Sequence, residues 1–188
     1  MTWAASRSLK ARALQWLAQR DQSRVELRRK LLRQARLDLT AASASHASGD
    51  AAGSVGDDED RSEHLAAEVD AVLDWLETQG YLSAERFVES RVHARAERYG
   101  NRRIRQELQQ HQLDVSGELA RALQASEAER ARAVRARRFA NPPHDATERA
   151  RQMRFLIGRG FSPDAVRAAL RDPGPAADAG DETAAAED

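Results

Sequence analysis

Cysteine is absent from this 188-residue chain, which excludes disulfides, thiol nucleophiles and thiolate metal sites and fits a reducing compartment. Aromatic residues are only 5% of the total, so the interior must be built mostly from Ala, Leu and Val, a set that favours helices over sheets. No apolar run approaches the roughly 20 residues that span a bilayer, so no membrane partner is expected. The N-terminal stretch MTWAASRSLKARALQWL lacks the apolar segment of a secretory signal, and the expectation is a cytoplasmic protein. No Walker-type glycine loop occurs. His46, His64, His93, His111 and His144 are scattered without the paired spacing of a zinc site. Asp57-Asp58-Glu59-Asp60 lacks the alternating ligands and closing glutamate of a calcium loop. With serines mainly at helix starts or in a linker, no nucleophile has a base beside it. The reading is a non-enzyme with no cofactor and no metal.

What the chain does have is charge, 32% of its residues, with a formal net of zero that conceals strong segregation. Residues 1–36 hold ten Arg or Lys against Asp21 and Glu26. Residues 37–80 hold Arg61 alone against eleven acids. Arginine dominates again through residue 171, and the last 17 residues contain six acids and no base. Basic patches attract a polyanion or an acidic protein, and flanking acidic segments compete for the same patch. The acidic linker and tail are therefore expected to screen the basic surface from nonspecific DNA, or else simply to maintain solubility.

Apolar periodicity predicts short helices throughout. The first covers residues 8–20, with Leu9, Ala13, Trp16 and Leu17 on one face. Ser23 caps a second, which buries Leu27 and Leu31 and runs to about residue 35. Residues 40–62 offer little to bury and read as a flexible acidic insertion. Periodicity resumes with Val69, Val72, Leu73 and Leu76, and Gly80 offers a stop. Further helices are expected over 83–97, 101–111, 115–125, 126–139, 145–158 and 162–171, with Pro173-Gly-Pro175 as terminator. The organisation that follows is a first helical unit at 8–80, interrupted at about 37–64. A second unit spans 81–125, a third 126–171, and a disordered acidic tail 172–188.

Three of these helices share one pattern. Ser23-Arg-Val-Glu-Leu27-Arg-Arg-Lys-Leu31, Gly100-Asn-Arg-Arg-Ile104-Arg-Gln-Glu-Leu108 and Ser162-Pro-Asp-Ala-Val166-Arg-Ala-Ala-Leu170 each place apolar residues four and eight positions after a break. Basic residues recur on them: Arg24, Arg28, Arg29 and Lys30 on the first, Arg102, Arg103 and Arg105 on the second, Arg159 and Arg167 near the third, with Arg171 beyond. At about 100° per residue Arg102 lies far from Ile104 and faces solvent, while Arg103 and Arg105 flank the stripe. Their stems covering its edges would explain them without any partner. Their recurrence points instead to an extended positive strip that holds phosphates or an acidic protein surface. Trp3, Trp16, Trp75, Tyr81 and Tyr99 could stack bases, although packing is the default role for such rings.

The segments Ser23-Arg-Val-Glu-Leu-Arg-Arg-Lys-Leu31, Gly80-Tyr-Leu-Ser-Ala-Glu-Arg-Phe87, Tyr99-Gly-Asn-Arg-Arg-Ile-Arg-Gln-Glu-Leu108 and Phe155-Leu-Ile-Gly-Arg-Gly-Phe161 resemble, in order, those of the RecX family of bacterial RecA regulators. The resemblance implies an all-α fold of three tandem three-helix repeat units forming an elongated curved rod. It also implies binding to the RecA nucleoprotein filament, with inhibition of filament growth, recombination and the filament's stimulation of SOS-repressor cleavage. The chain departs from the family's pattern in three places. Gln34-Ala35 and His111-Gln112 stand where Lys-Gly pairs are usual, and Ser83-Ala84 where Asp-Asp is usual. Two other readings compete: a basic all-helical nucleic-acid module, with weak single- or double-stranded DNA binding of its own, and a scaffold for an acidic protein. The low aromatic content gives no reason to expect a permanent dimer, so a monomer is expected.

Overall fold

The computed structural model describes residues 8–46 and 55–171, and all regular structure among them is helical. In chain order the helices are α1 Leu9–Leu17, α2 Arg24–His46, α3 Val55–Thr78, α4 Ala84–Ala96, α5 Asn101–Gln109, α6 Gly117–Ala125, α7 Glu127–Arg138, α8 Ala146–Gly158 and α9 Pro163–Arg171. The expected acidic tail and the middle of the insertion lie outside the described residues. The edges of the insertion are helical: α2 continues to His46 and α3 begins at Val55. The expectation of a flexible segment weighed only buried area. On the α2 side, alanine adopts a helix at almost no side-chain entropy cost, so an alanine-containing extension of an anchored helix needs no core of its own. The extension carries Leu37 (55% exposed) and Leu39 (40% exposed).

The chain divides into two compact units, the first reaching Arg91 and including Leu108–Asp114, the second taking Val92–Glu107 and everything from Val115 on. In the first unit α1, α2 and α3 close around Ala13, Leu27, Leu31, Val69, Val72, Leu73, Leu76 and Leu82, with Trp16 and Trp75 partly buried at the rim. Ser23 starts α2 by accepting from the Glu26 backbone N–H at 3.1 Å, and its hydroxyl also meets His111 Nδ1 at 2.7 Å. In the second unit the core is Ala131, Val134, Leu156, Phe161, Ala165, Val166, Ala169 and Leu170, from α7, α8, the α8–α9 break and α9. The repeated pattern is visible in burial: Leu27, Leu31, Ile104, Leu108, Val166 and Leu170 are all buried.

Helix ends repeat as well. Gly80, Gln112 and Gly160 have φ of 72°, 59° and 85°. In each case the next residue's N–H reaches back five positions: Tyr81 to Leu76 O at 2.9 Å, Leu113 to Leu108 O at 3.1 Å, Phe161 to Leu156 O at 3.2 Å. This is the left-handed helix stop that glycine favours. Gln112 adopts it with a side chain, so the departure from Lys-Gly leaves the turn intact at a steric cost of roughly 1 kcal/mol. Gln112→Gly should therefore raise unfolding stability by about 1 kcal/mol in a denaturant titration.

Two breaks of the second unit cross each other. Gly100 N–H donates to Arg159 O and Arg102 N–H to Gly160 O, both at 3.0 Å. A Cβ on Gly100 would lie 2.2 Å from Phe161 N and 2.3 Å from Gly160 C, and one on Gly160 would lie 2.6 Å from Arg103 Cβ. Gly158 has open space. Gly100→Ala should thus cost about 2–4 kcal/mol by chemical denaturation, from backbone displacement, while Gly158→Ala leaves stability unchanged or slightly improved.

Candidate partner-binding surface

The ERYGNRRIRQEL stretch starts a helix without a capping side chain at its break, because Gly100 has none to offer. The exposed N–H groups of α5 are served from elsewhere in the second unit. Glu127, at the start of α7 and only 1% exposed, accepts from Asn101 N–H at 2.9 Å. The same carboxylate accepts from Ser162 N–H at 3.2 Å and Ser162 Oγ at 2.7 Å, at the start of α9. One buried negative charge therefore sits at the positive ends of two helices. Beside it, Arg130 donates to Ala96 O (3.1 Å), Tyr99 O (3.0 Å), Asn101 Oδ1 (2.5 Å) and Leu123 O (2.9 Å). Burial pulls the Arg130 pKa below the usual arginine value, and attraction to Glu127 only partly offsets it. Arg135 is buried too, and donates to Ala169 O at 3.0 Å. These arginines are structural.

Where the two breaks cross, arginines gather on an aromatic ring. The guanidinium carbons of Arg95, Arg103 and Arg159 lie 5.8, 5.4 and 5.7 Å from the Tyr99 ring centre. Arg159 also lies 5.0 Å from Phe155. Arg95 is already paired with Glu107 at 3.0 Å, whereas for Arg103 and Arg159 the contact with the ring face is compatible with N–H groups turned toward an anion. Next to it opens a cleft lined by Arg98, Arg137, Arg138, Arg159, Val134 and Phe155, with Glu97 as its one acid. Arg98 and Arg138 are exposed and form no ion pair among the described residues, and Arg137 only donates to Glu97 O at 3.3 Å. Arg98, Arg137 and Arg138 were not singled out by the sequence reading. They lie at helix ends and outside the repeated pattern, and the one available signal was the run of bases closing α7.

The sequence-predicted residues divide sharply. Arg24 bonds Asp74 Oδ1 at 2.7 Å and Glu77 Oε2 at 2.6 Å, both on α3. Partial burial works against its charge, but the two carboxylates outweigh that and raise its pKa. Arg28 forms a two-pronged pair with Asp70 at 2.7 and 2.8 Å. Lys30 bonds Gln22 Oε1 at 2.8 Å and pairs with Glu26 at 3.4 Å. Glu26 has its pKa raised by burial and lowered more strongly by Arg20 and Lys30. Arg167 pairs with Asp164. These four are held by neighbours. Arg29, Arg102 and Arg105 form no ion pair among the described residues, with Arg29 and Arg102 exposed, and Arg103 and Arg159 lie over the Tyr99 ring.

Among the described residues no group of three or more His, Asp or Glu could hold a metal ion, and no helix is long and apolar enough to cross a membrane. The fold thus defines a class: an all-helical protein of repeated short helices, with arginines exposed on its surface among the described residues. Residues 85–116 match the family model of the second three-helix domain of RecX, and residues 125–170 that of the third. The chain is 45% identical over 177 residues to the Regulatory protein RecX of Ralstonia nicotianae, covering 93% of this chain and 94% of the other. It is 46% identical over 161 residues to that of Ralstonia pickettii (85% and 84% covered) and 47% over 166 residues to that of Leptothrix cholodnii (87% and 88%). The chain belongs to the RecX family.

The Arg28–Asp70 pair yields a titration test. Its two-pronged bond, chiefly the hydrogen bonds from Arg28, holds the Asp70 carboxyl below its ordinary 3.8. A depressed carboxylate contributes stability above its unfolded pKa and loses it as pH falls through the lower folded value. In Arg28→Ala the Asp70 carboxyl midpoint, followed by NMR, should move up toward the ordinary range, and this acid-side contribution should vanish.

Proposed function

We propose that this protein is a cytoplasmic regulator that binds the RecA nucleoprotein filament, limiting its growth, its recombination activity and its stimulation of SOS-repressor cleavage. The observation that carries this reading is family membership over nearly the whole chain, in relatives named as regulatory proteins. The chemistry of the surface supports it. Arg29, Arg102, Arg103, Arg105 and Arg159 offer cationic groups distributed over repeated helices, suited to a partner that presents negative charge at several places rather than in one pocket. Arg24, Arg28, Lys30 and Arg167 contribute through the same helices, although each must share its charge with an internal partner. In this reading three tandem three-helix units act together as a monomer.

A second reading is favoured by the arginine cleft and its aromatic neighbours, which suit direct contact with DNA phosphates and bases without a recombinase. One measurement separates the two: binding of the full chain to bare single strands, bare duplex, RecA alone and assembled RecA–DNA filament across a salt series. The regulator binds filament tightly and bare DNA weakly; equal affinity with a steep salt slope supports the direct DNA reading. The double reversal Arg102→Glu with Arg105→Glu should weaken filament binding about tenfold or more, roughly 1.4 kcal/mol, without altering the helical circular dichroism spectrum. Unchanged filament affinity in that folded variant would reject these residues as contacts.

A further inference from the structure

Helix α2 has two opposite faces. Leu27, Leu31 and Ala35 are buried on one of them. At about 100° per residue, Arg29, Leu32, Arg33, Arg36, Leu37 and Thr40 fall within an arc of about 140° on the other. Among the described residues these six line a groove of about 410 Å³. They form two rows of i, i+4 neighbours, Arg29–Arg33–Leu37 and Leu32–Arg36–Thr40. The continuation of α2 as a helix past residue 35 is what brings Arg36, Leu37 and Thr40 into register with the first three. The face is about 17 Å long, three helical turns.

Two features of this face are unspent in the fold of the first unit. One is apolar surface. Leu37 is 55% exposed, and Leu32 is only partly buried at the margin of the core. Between them lie Arg33 and Arg36, whose aliphatic stems continue the apolar surface. Thr40 turns its hydroxyl back to Leu37 O at 2.9 Å, so that donor is already used. The other feature is charge. Arg29, Arg33 and Arg36 are exposed and form no ion pair among the described residues. Like charges three and four positions apart repel and destabilise a helix. On the same helix Arg24 and Arg28 are neutralised by Asp74, Glu77 and Asp70 of α3. The fold thus supplies acids to one side of α2 and none to this one.

We infer that this face of α2 is a docking site for an acidic amphipathic helix of another protein. Such a helix sets one of its own i, i+4 ridges into the groove between the two rows of α2. Its apolar residues cover Leu32, Leu37 and the arginine stems, and Asp or Glu residues along its margins pair with Arg29, Arg33 and Arg36. The leucines decide against nucleic acid as the occupant. Phosphates would satisfy the three guanidinium groups and leave Leu37 uncovered, whereas an amphipathic helix satisfies both features at once. The inference concerns a protein helix and needs neither RecA nor DNA, so it does not rest on the filament-binding reading.

The probe is a synthetic helix of about 15 residues, with leucine at every third or fourth position and glutamate on either side, titrated into the full chain and followed by amide NMR. It should shift the signals of residues 29–40, with a Kd below about 1 mM. The same peptide with serine in place of leucine, at unchanged charge, should bind about tenfold more weakly or worse. Arg33→Glu with Arg36→Glu should weaken binding by a similar factor, and Leu37→Ser by about threefold or more, with the helical circular dichroism spectrum preserved in each. Equal binding of the serine peptide would overturn the inference, as would shifts centred on Arg102 and Arg105. So would a short DNA duplex that shifts residues 29–40 at lower concentration than the peptide, or no peptide binding at about 1 mM.

Discussion

A buried carboxylate with no countercharge in bonding contact is costly unless its oxygens are fully occupied, and Glu127 meets that condition by serving the starts of two helices at once. Asn101 N–H, Ser162 N–H and Ser162 Oγ converge on it, and Arg130 lies alongside, spending its own donors on four oxygens of α4, the α4–α5 break, α5 and α6. Leaving either charge without its partners would strand the other, a loss on the order of 3–5 kcal/mol for buried ionic groups. The crossing of Gly100 and Gly160 lies beside this arrangement: the helix starts that share the carboxylate follow the two breaks whose backbones hydrogen-bond each other, and a side chain on either glycine would strike the other segment.

The arginine bias of the chain therefore covers three physically distinct populations. Arg130 and Arg135 are buried and tie backbone carbonyls together. Arg24 and Arg28 are clamped by α3 carboxylates, so the acidic character of residues 37–80 is partly an internal neutraliser of α2. Arg29, Arg98, Arg102, Arg105 and Arg138 keep their charge for solvent or a partner. This partition matters more than the number of arginines, because only a guanidinium outside an existing ion pair can add electrostatic attraction without breaking a bond.

How much of this was legible beforehand depends on range. The four-residue anchors predicted which of Leu27, Leu31, Ile104, Leu108, Val166 and Leu170 would be buried, since helical periodicity is a local property. Gly80 was readable as a helix stop for the same reason. Gln112 was harder, because a glutamine carries no signal for a left-handed turn. The helical extension of α2 was not legible because an alanine-containing sequence looks the same whether it prolongs a helix or links two, and the start of α3, a run of acids without alanine, looks like a solvated charge run. Ser23, Asn101 and Ser162 look alike as helix starts, yet nothing local tells that one is bonded to a histidine 88 positions away and that the other two share a glutamate.

Composition, hydrophobic spacing and charge blocks were enough to determine an all-helical protein of repeated units, without cysteine chemistry and with strongly basic helices. Family resemblance was likewise carried by short ordered segments. Tertiary structure alone decided which arginines are spent and which are free, because a guanidinium finds its partner through space: Asp70 for Arg28, the Tyr99 ring for Arg103, a carbonyl of α9 for Arg135. Hydrophobic burial follows a period that can be counted along the chain, whereas pairing of charges depends on distances between segments that no period encodes.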